Sequence, residues 1–546
     1  MSNSSGDSRS SGLFGKVVTS TALVSGIILL CKLLGFLEKV LLGSIYGGRG
    51  ERYQMDIYLA MVTVVVLFYD IMRYALIPSL LPSVTEELES RGEEAAWSLA
   101  STFLNVMLPV LCLAVVVVIA WPGVVVGLLF PRLPGGEADP AAKLGLAVSL
   151  LRIMFLGGAF LIVGGIAYAM LNSYKRFAAP ALGDLSFKVV SILPLLFIAV
   201  VLVKRKREFV LSGGIKLVAG GVTLGCAGLL LIQLIALGRK LRLYRPSIDL
   251  RAPSARKVLA TAAPLLVYAV FYFGRRIADI YFAFQMPEGT YSGLDFSYRL
   301  IEFPFRFVIE PLGYVVFPFF AALAMKENHE ELAGVLTTVL RALVLLLLPM
   351  SIGLFLLRKP AVLALFAHGQ FANVDLTTAP LTWYSLGIVA FGLDIILMRA
   401  YFSLRDVATP VVLEVLTFVA NMALILLLRH RMQGAGIALA FTLARTGKVI
   451  ILFALLRNRL GGGRLGEDIA FLAKTVGAVA IMAVAVYGCR EFLAGRLQMD
   501  KKFHRLILLG APAAVGAAVY GASVILLRIR EIRDLLRMAR RVKKTA

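Results

Sequence analysis

Charged side chains lie inside segments of this sequence that are otherwise apolar. Lys32, for example, interrupts the run LVSGIILLCKLLGFL near the N-terminus. An ionised group at the centre of a bilayer costs at least ~2.5–3.5 kcal/mol, so such groups usually face the interior of a helix bundle or a water-filled cavity. The set carries both signs with an excess of bases, which indicates a large hydrated cavity suited to an anionic ligand. Its members are Lys32, Glu38, Lys39, Asp70, Arg73, Asp184, Lys188, Arg275, Arg276, Asp279, Arg299, Glu302, Arg306, Asp394 and Arg399.

The eighth apolar segment carries the densest pattern of charge. Arg299, Glu302, Arg306 and Glu310 follow one another at spacings of three, four and four residues, so they share one helical face. Such a ladder could be a set of mutually neutralising ion pairs that fix helix register. Arg299 is nevertheless a candidate ligand-binding base, because Pro304 breaks the segment and broken helices are typical of transporter cavities.

The first and seventh apolar segments hold bases that nearby acids cannot fully neutralise. Arg275 and Asp279 share a face, but Arg276 points in a different direction, so Asp279 cannot neutralise both arginines. Lys32 has no acid within one helical turn. These three bases are therefore the better candidates for binding an anion. Two pairs whose members could instead neutralise each other are Arg306–Glu310 and Asp70–Arg73.

The composition places these charges in a membrane protein. The chain has 546 residues, 59% of them hydrophobic, and a mean hydropathy of +0.84. Apolar runs near ~20 residues, the length that spans ~30 Å of hydrocarbon, recur about fourteen times, which predicts an all-α polytopic membrane protein. The net charge of +24 would indicate nucleic acid in a soluble protein. Here the extramembrane bases cluster in loops and the tail, so we expect membrane lipids and no nucleic acid as partners.

A short internal repeat divides the chain into two halves. Residues 173–180 read SYKRFAAP with Asp184 four residues on, and residues 403–410 read SLRDVATP with Glu414 four residues on. Ser, a base, Ala, Pro and an acid fall at identical offsets. The repeats lie six segments apart, which predicts two parallel six-helix lobes around a central cavity, plus two C-terminal helices.

The predicted regions follow from this repeat and from the excess of Lys and Arg in loops expected on the cytoplasmic side. Both termini are then expected in the cytoplasm. The regions are a disordered cytoplasmic N-terminus at 1–13, an N-lobe of helices 1–6 at 14–238, a basic cytoplasmic linker at 239–257, a C-lobe of helices 7–12 at 258–456, helices 13 and 14 at 457–527, and a basic cytoplasmic tail at 528–546.

Motifs for catalysis or ATP hydrolysis are absent from the sequence. It has no GxxxxGK[ST] loop and no HExxH helix, and its four cysteines lack CxxC spacing. No loop carries the acidic pair or base that a membrane glycosyltransferase would need. We therefore expect a protein that is not an enzyme, with no cofactor and no metal.

Several segments resemble signatures of the MurJ/MviN family of lipid flippases, within the multidrug/oligosaccharidyl-lipid/polysaccharide exporter superfamily. They run in the family's order along the chain, and the stretch around Arg299 is the most specific. The segments are KLLGF at 32–36, Asp56, Leu81-Pro82, NSYKRF at 172–177 with Pro180, YRLIEFP at 298–304, HGQF at 368–371, YSLG at 384–387, and YFS at 401–403 with Thr409-Pro410. The sequence is thus identified as a divergent member.

The resemblance implies transport of lipid II, an undecaprenyl-diphosphate-linked peptidoglycan precursor, from the inner to the outer leaflet by alternating access. Cavity bases would bind the diphosphate. Lys32 and Arg299 fall where the family has arginines, and Asp56 matches an acid near the outer gate. We expect a monomer in the bacterial inner membrane, with cell-wall synthesis proteins as candidate partners.

The charges of this chain depart from the family pattern at several positions. Glu38-Lys39 reverses the family's order of base and acid, Phe68-Tyr69 takes the place of an arginine pair, and Arg73 follows about one helical turn later. Arg275-Arg276 is an additional pair of bases. The cavity therefore stays basic with its charges rearranged, which leaves another lipid-linked polysaccharide unit open as the substrate.

Two sets of residues are predicted to carry the function. The substrate-binding set is Lys32, Lys39, Arg73, Arg275, Arg276, Arg299 and Glu302, and the gating or ion-coupling set is Asp56, Glu38 and Asp279. A cation-coupled multidrug exporter of the same superfold stays open as an alternative, although it predicts an acid-dominated cavity. A scaffold for cell-wall synthesis machinery would tolerate neutralisation of the cavity bases, which distinguishes it from a flippase.

Overall fold

The computed structural model describes residues 5–48, 52–130, 139–202, 213–369, 371–461, 465–497 and 501–529. Nearly all of these residues are helical, and no β-strand occurs among them. The predicted all-α class is therefore confirmed. Helices are the expected form of long apolar runs in lipid, because a helix satisfies its backbone hydrogen bonds within one segment.

The described part of the first half of the chain contains nine α-helices, one of which has a clear side-chain cap at its start. At the start of α6, the Asp139 side chain accepts from the N–H of Ala141 at 3.2 Å, and Pro140 occupies the first turn. The helices are α1 Ser5–Tyr46, α2 Arg52–Ile71, α3 Ile77–Ser90, α4 Glu93–Ala120, α5 Pro122–Leu129, α6 Pro140–Ser173, α7 Ala178–Phe197, α8 Ile215–Leu237 and α9 Pro253–Ala283. A π-helical turn, Met72–Leu76, joins α2 to α3.

The second half contains longer helices with two marked breaks. α14 is interrupted at Gln433, whose φ of 48° and ψ of −131° are not helical. α12 and α13 meet at a bend of 49°. The helices are α10 Thr290–Met325, α11 His329–Leu365, α12 Val374–Leu386, α13 Ile388–Ser403, α14 Ala408–Arg459, α15 Leu465–Ala494 and α16 Lys502–Leu526.

Many of these helices are long enough to cross a bilayer. Within the described ranges, ten are long and apolar enough, or eleven when α12 and α13 count as one bent span. Large apolar side chains such as Val484, 75% exposed, cover their outer faces, as expected of surfaces in contact with lipid. Each of the fourteen apolar segments predicted from the sequence overlaps a helix. Two consecutive segments fall within α14, where the break at Gln433 separates them. The count of fourteen spans stays a prediction.

Contacts group the helices into two compact units, Met1–Glu288 and Gly289–Ala546. α9 falls in the first unit because it packs on the π-helical turn. Phe273 is buried beside Ala75, and its ring centroid lies 5.1 Å from that of Tyr74. The division into an N-lobe ending at 238 and a C-lobe beginning at 258 stays a prediction.

The two repeated turns have the same backbone geometry. Lys175 and Arg405, at equivalent positions, have positive φ angles of 59° and 57°, which is uncommon for residues other than glycine. In both turns this residue donates its N–H to the carbonyl three residues back, and the next residue donates to the carbonyl five back, which caps the preceding helix. The bonds are Lys175 N to Asn172 O at 2.9 Å, Arg405 N to Phe402 O at 3.1 Å, Arg176 N to Leu171 O at 2.9 Å, and Asp406 N to Tyr401 O at 3.0 Å.

Glycines bring α7 and α8 into close contact. A Cβ atom on Gly225 would lie 2.8 Å from the carbonyl oxygen of Phe187, and one on Gly221 would lie 2.5 Å from Cγ of Pro194. Small residues at such spacing let two helix backbones approach in a membrane, where packing rather than the hydrophobic effect drives association. α7, which carries Asp184, is therefore held rigidly against α8.

We expect Gly225→Ala to separate α7 from α8, because a backbone carbonyl cannot move aside without shifting its helix. The cost should be about 1–3 kcal/mol, as for other overpacking substitutions. Thermal unfolding of the purified protein in detergent should then show a lower Tm. Gly220→Ala is the matched control on the same helix, since a Cβ there meets no atom within 4 Å. Equal Tm values for the two variants would contradict this account of the packing.

Candidate functional site

Two acids and two bases of the first unit interact through one direct contact and through electrostatics, and we call Glu38, Arg73, Asp184 and Lys188 the first charge cluster. Lys188 Nζ donates to Glu38 Oε2 at 3.1 Å. Asp184 lies one turn before Lys188 on α7, and its carboxylate interacts electrostatically with both Arg73 and Lys188. The cluster therefore joins α1, the π-helical turn after α2, and α7.

The members of the first charge cluster differ in how exposed they are on the first unit. The Glu38 side chain is 9% exposed and that of Lys188 is 30% exposed, while Asp184 is half-buried and Arg73 is exposed. Arg73 forms no hydrogen bond or direct ion pair with another described residue. Its guanidinium, a planar group that binds phosphate in a bidentate manner, is thus accessible to a ligand.

Three other predicted residues of the first unit lie on α1 and α2. Lys39 and Asp56 are buried, at 7% and 1% exposure, and Lys32 is half-buried. Burial on this scale requires that a charged group be paired or hydrogen-bonded. Lys39 and Asp56 are therefore part of the packed interior in this conformation, and Lys32 is the more accessible base.

Each arginine of the pair on α9 has its own carboxylate. Arg275 Nη1 pairs with Oδ2 of Asp279, and Arg276 Nη1 lies 3.4 Å from Oδ2 of Asp70. The first of these pairs was expected from the spacing of four residues. The second uses an acid 206 positions away, so Asp70 contacts Arg276 rather than Arg73. The π-helical turn that begins at Met72 explains the change, because its wider winding alters the direction of Arg73 relative to Asp70.

In the second unit, Arg299 lies between two acids of its own helix. Its Nη1 donates to Glu302 Oε2 at 2.7 Å, and its Nε lies 3.9 Å from Asp295 Oδ1. The Arg299 side chain is still 41% exposed. The side chains of Arg306 and Glu310 lie outside the described part of the chain.

A second charge cluster, Asp394, Glu414, Arg445 and Lys448, is sealed inside the second unit. Lys448 Nζ lies 2.9 Å from Asp394 Oδ1 and 2.6 Å from Glu414 Oε2. Arg445 Nη1 lies 2.9 Å from Asp394 Oδ2 and 3.2 Å from Glu414 Oε2. No side chain of the four is more than 6% exposed. Two positive and two negative charges therefore balance one another out of reach of solvent.

The sequence interpretation assigned six of the eight residues in the two charge clusters to no site, namely Asp184, Lys188, Asp394, Glu414, Arg445 and Lys448. Asp184 and Lys188 were recognised as charges within an apolar segment but not as neighbours of Glu38 and Arg73. Arg445 and Lys448 were overlooked, although two bases three residues apart in an apolar helix were a usable signal. Their partners come from distant segments, and local spacing cannot identify such partners.

We expect Lys448→Met to destabilise the second unit strongly, because two buried carboxylates would be left with one base. Removing one partner from a buried ion pair typically costs about 3–5 kcal/mol. Thermal unfolding in detergent should show a large fall in Tm, or a loss of folded protein during size-exclusion chromatography. Lys474→Met, at an exposed position on α15, is the control. The double variant Lys448→Met/Glu414→Gln restores charge balance and should recover part of the loss. A Tm unchanged by Lys448→Met would refute the structural role of the cluster.

The fold and these charges define a class of protein, a multi-pass α-helical membrane protein built as a transporter. The chain matches the family model "Lipid II flippase MurJ" over residues 50–507 and therefore belongs to that family. A lipid II flippase MurJ of Burkholderia cenocepacia is 26% identical over 507 residues, covering 91% of this chain and 95% of that protein. A probable lipid II flippase MurJ of Bdellovibrio bacteriovorus is 27% identical, covering 90% and 92%.

Two solved structures of membrane transporters share this fold. A lipid II flippase MurJ in an inward closed conformation aligns with a TM-score of 0.75 at 19% identity, covering 94% of this chain and all of that one. An inward-facing multidrug resistance MATE family transporter aligns with a TM-score of 0.63 at 13% identity, covering 79% and 94%. These likenesses concern the fold alone, and the resemblance recognised in the sequence is confirmed by the family match.

Proposed function

We propose that this protein is a flippase of the bacterial inner membrane that moves lipid II from the inner to the outer leaflet by alternating access. The observation that carries the proposal is a family match that spans residues 50–507 of the chain. The chemistry agrees with it, because bases within membrane-spanning segments provide donors for a diphosphate. A diphosphate in a region of low dielectric interacts strongly with such bases through charge-assisted hydrogen bonds.

Exposure divides the proposed substrate-binding residues into two groups. Arg73 is exposed and Arg299 is 41% exposed, so both can reach a headgroup without leaving a buried position. Lys39 is buried and the Arg275 side chain is only 11% exposed, so these two bases are less accessible to a headgroup. Lys32, Arg276 and Glu302 complete the proposed set.

The transport step that we propose changes no covalent bond. The headgroup would move with the bases that bind it while the polyprenyl tail stays in lipid, so neither a cofactor nor a metal is required. Glu38, Asp56 and Asp279 are proposed for gating or ion coupling. We propose that the protein acts as a monomer in contact with membrane lipids, with cell-wall synthesis proteins as candidate partners.

A complementation experiment tests this function. The chain would be expressed in bacteria depleted of their own lipid II flippase, with Arg299→Ala and Lys32→Ala variants in parallel. We expect the wild type to restore growth and both variants to reduce rescue, because each removes a donor for the diphosphate. Lys216→Ala, at an exposed position at the start of α8, is the matched control and should rescue as the wild type does.

Quantified membrane insertion makes the outcomes distinct. A wild type that inserts well but does not rescue would contradict lipid II as the substrate, and the rearranged charges would then favour another lipid-linked polysaccharide unit. Rescue that survives both substitutions would refute the assignment of these bases to a diphosphate site.

A further inference from the structure

The repeated turns place an acid at equivalent positions in the two units, and the structure treats these acids differently. Glu414 follows the second turn and is bound by both Arg445 and Lys448 in a cluster closed to solvent. Asp184 follows the first turn and is half-buried. Its carboxylate forms no hydrogen bond or direct ion pair within the described part of the chain. Glu414 is therefore held in place by two bases, whereas Asp184 has no such direct contact among the described residues.

The first charge cluster carries two charges of each sign. Arg73 and Lys188 contribute two positive charges, and Asp184 and Glu38 contribute two negative charges. Glu38 is nearly buried and accepts directly from Lys188, so it belongs to the packed structure. Asp184 acts on both bases electrostatically and is itself only half-buried. It is thus the anion that a ligand approaching the exposed guanidinium of Arg73 would meet.

We propose that Asp184 is a built-in competitor for the phosphate groups of the substrate. With the site empty, its carboxylate balances Arg73 and Lys188. A phosphate-bearing headgroup displaces it when the phosphate oxygens accept hydrogen bonds from the same two bases, and Asp184 restores the balance when the headgroup leaves. This inference rests on the proposed function, since it names a device within the same site.

Electrostatics explains why such a competitor aids transport. Without Asp184, two bases in a region of low dielectric would hold a diphosphate tightly, because the Coulomb attraction is only weakly screened there. A transport site must release its ligand as well as bind it. A carboxylate that repels the bound anion and replaces it on departure weakens binding and speeds release. Glu414 cannot have this role, because Arg445 and Lys448 both contact it directly and its side chain is only 5% exposed.

Binding of undecaprenyl diphosphate to the purified full-length protein in detergent tests the proposal. Asp184→Asn keeps the shape of the side chain and removes its charge, and it should bind the probe about tenfold more tightly, as expected for one like charge removed from a partly desolvated site. Rescue of flippase-depleted cells by the same variant should fall, because release is slowed. Asp184→Glu should behave like the wild type in both assays.

Matched variants make each outcome decisive. Asp184→Ser removes the same charge with a different shape, so it tests the proposal if Asp184→Asn proves unstable. Glu89→Gln, at a position 65% exposed, measures the effect of net charge alone. Affinity that is unchanged or weaker in both Asp184 variants would overturn the inference while leaving the proposed function intact, provided that Arg73→Ala weakens binding. A folded wild type that does not bind the diphosphate would overturn both.

Discussion

The structure depends on one constraint, the cost of placing an ionised group where water cannot solvate it. Each charge within the membrane-spanning helices must be offset by an opposite charge, by hydrogen bonds or by access to a hydrated space. In the described residues, acids and bases accordingly meet in small groups, and the second charge cluster balances two charges of each sign. Such groups also tie helices together, since their members come from different segments of the chain.

The two units meet this constraint in different ways. The second charge cluster encloses its four side chains completely, so it contributes to a fixed arrangement of α13 and the two parts of α14. The first charge cluster leaves Arg73 exposed and Lys188 partly so. A group with an exposed base leaves that base within reach of a ligand, whereas a closed group does not. The two repeated turns therefore place an acid at equivalent positions, but the two acids differ in burial and in their contacts with bases.

The sequence predicted the helical class, the repeated turn and most of the charged positions, because these depend on local composition and spacing. The Arg275–Asp279 pair was likewise visible as a separation of four residues. The sequence could not identify pairs such as Arg276–Asp70 or Lys188–Glu38, whose members are 206 and 150 positions apart. The π-helical turn was also hidden, because no residue type marks a change in hydrogen-bond pattern within an apolar helix.

The position of that π-helical turn has a mechanical consequence. Asp184 and Lys188 lie on α7, which glycine contacts hold against α8, so these two side chains keep a constant spacing. Arg73 instead lies on Met72–Leu76, where the backbone bonds follow the rarer i to i+5 pattern. Migration of such a turn by one residue along its helix rotates the side chains it carries while both helix ends stay in place. Such a shift would change the direction of the Arg73 side chain while Asp184 and Lys188 on α7 keep their positions.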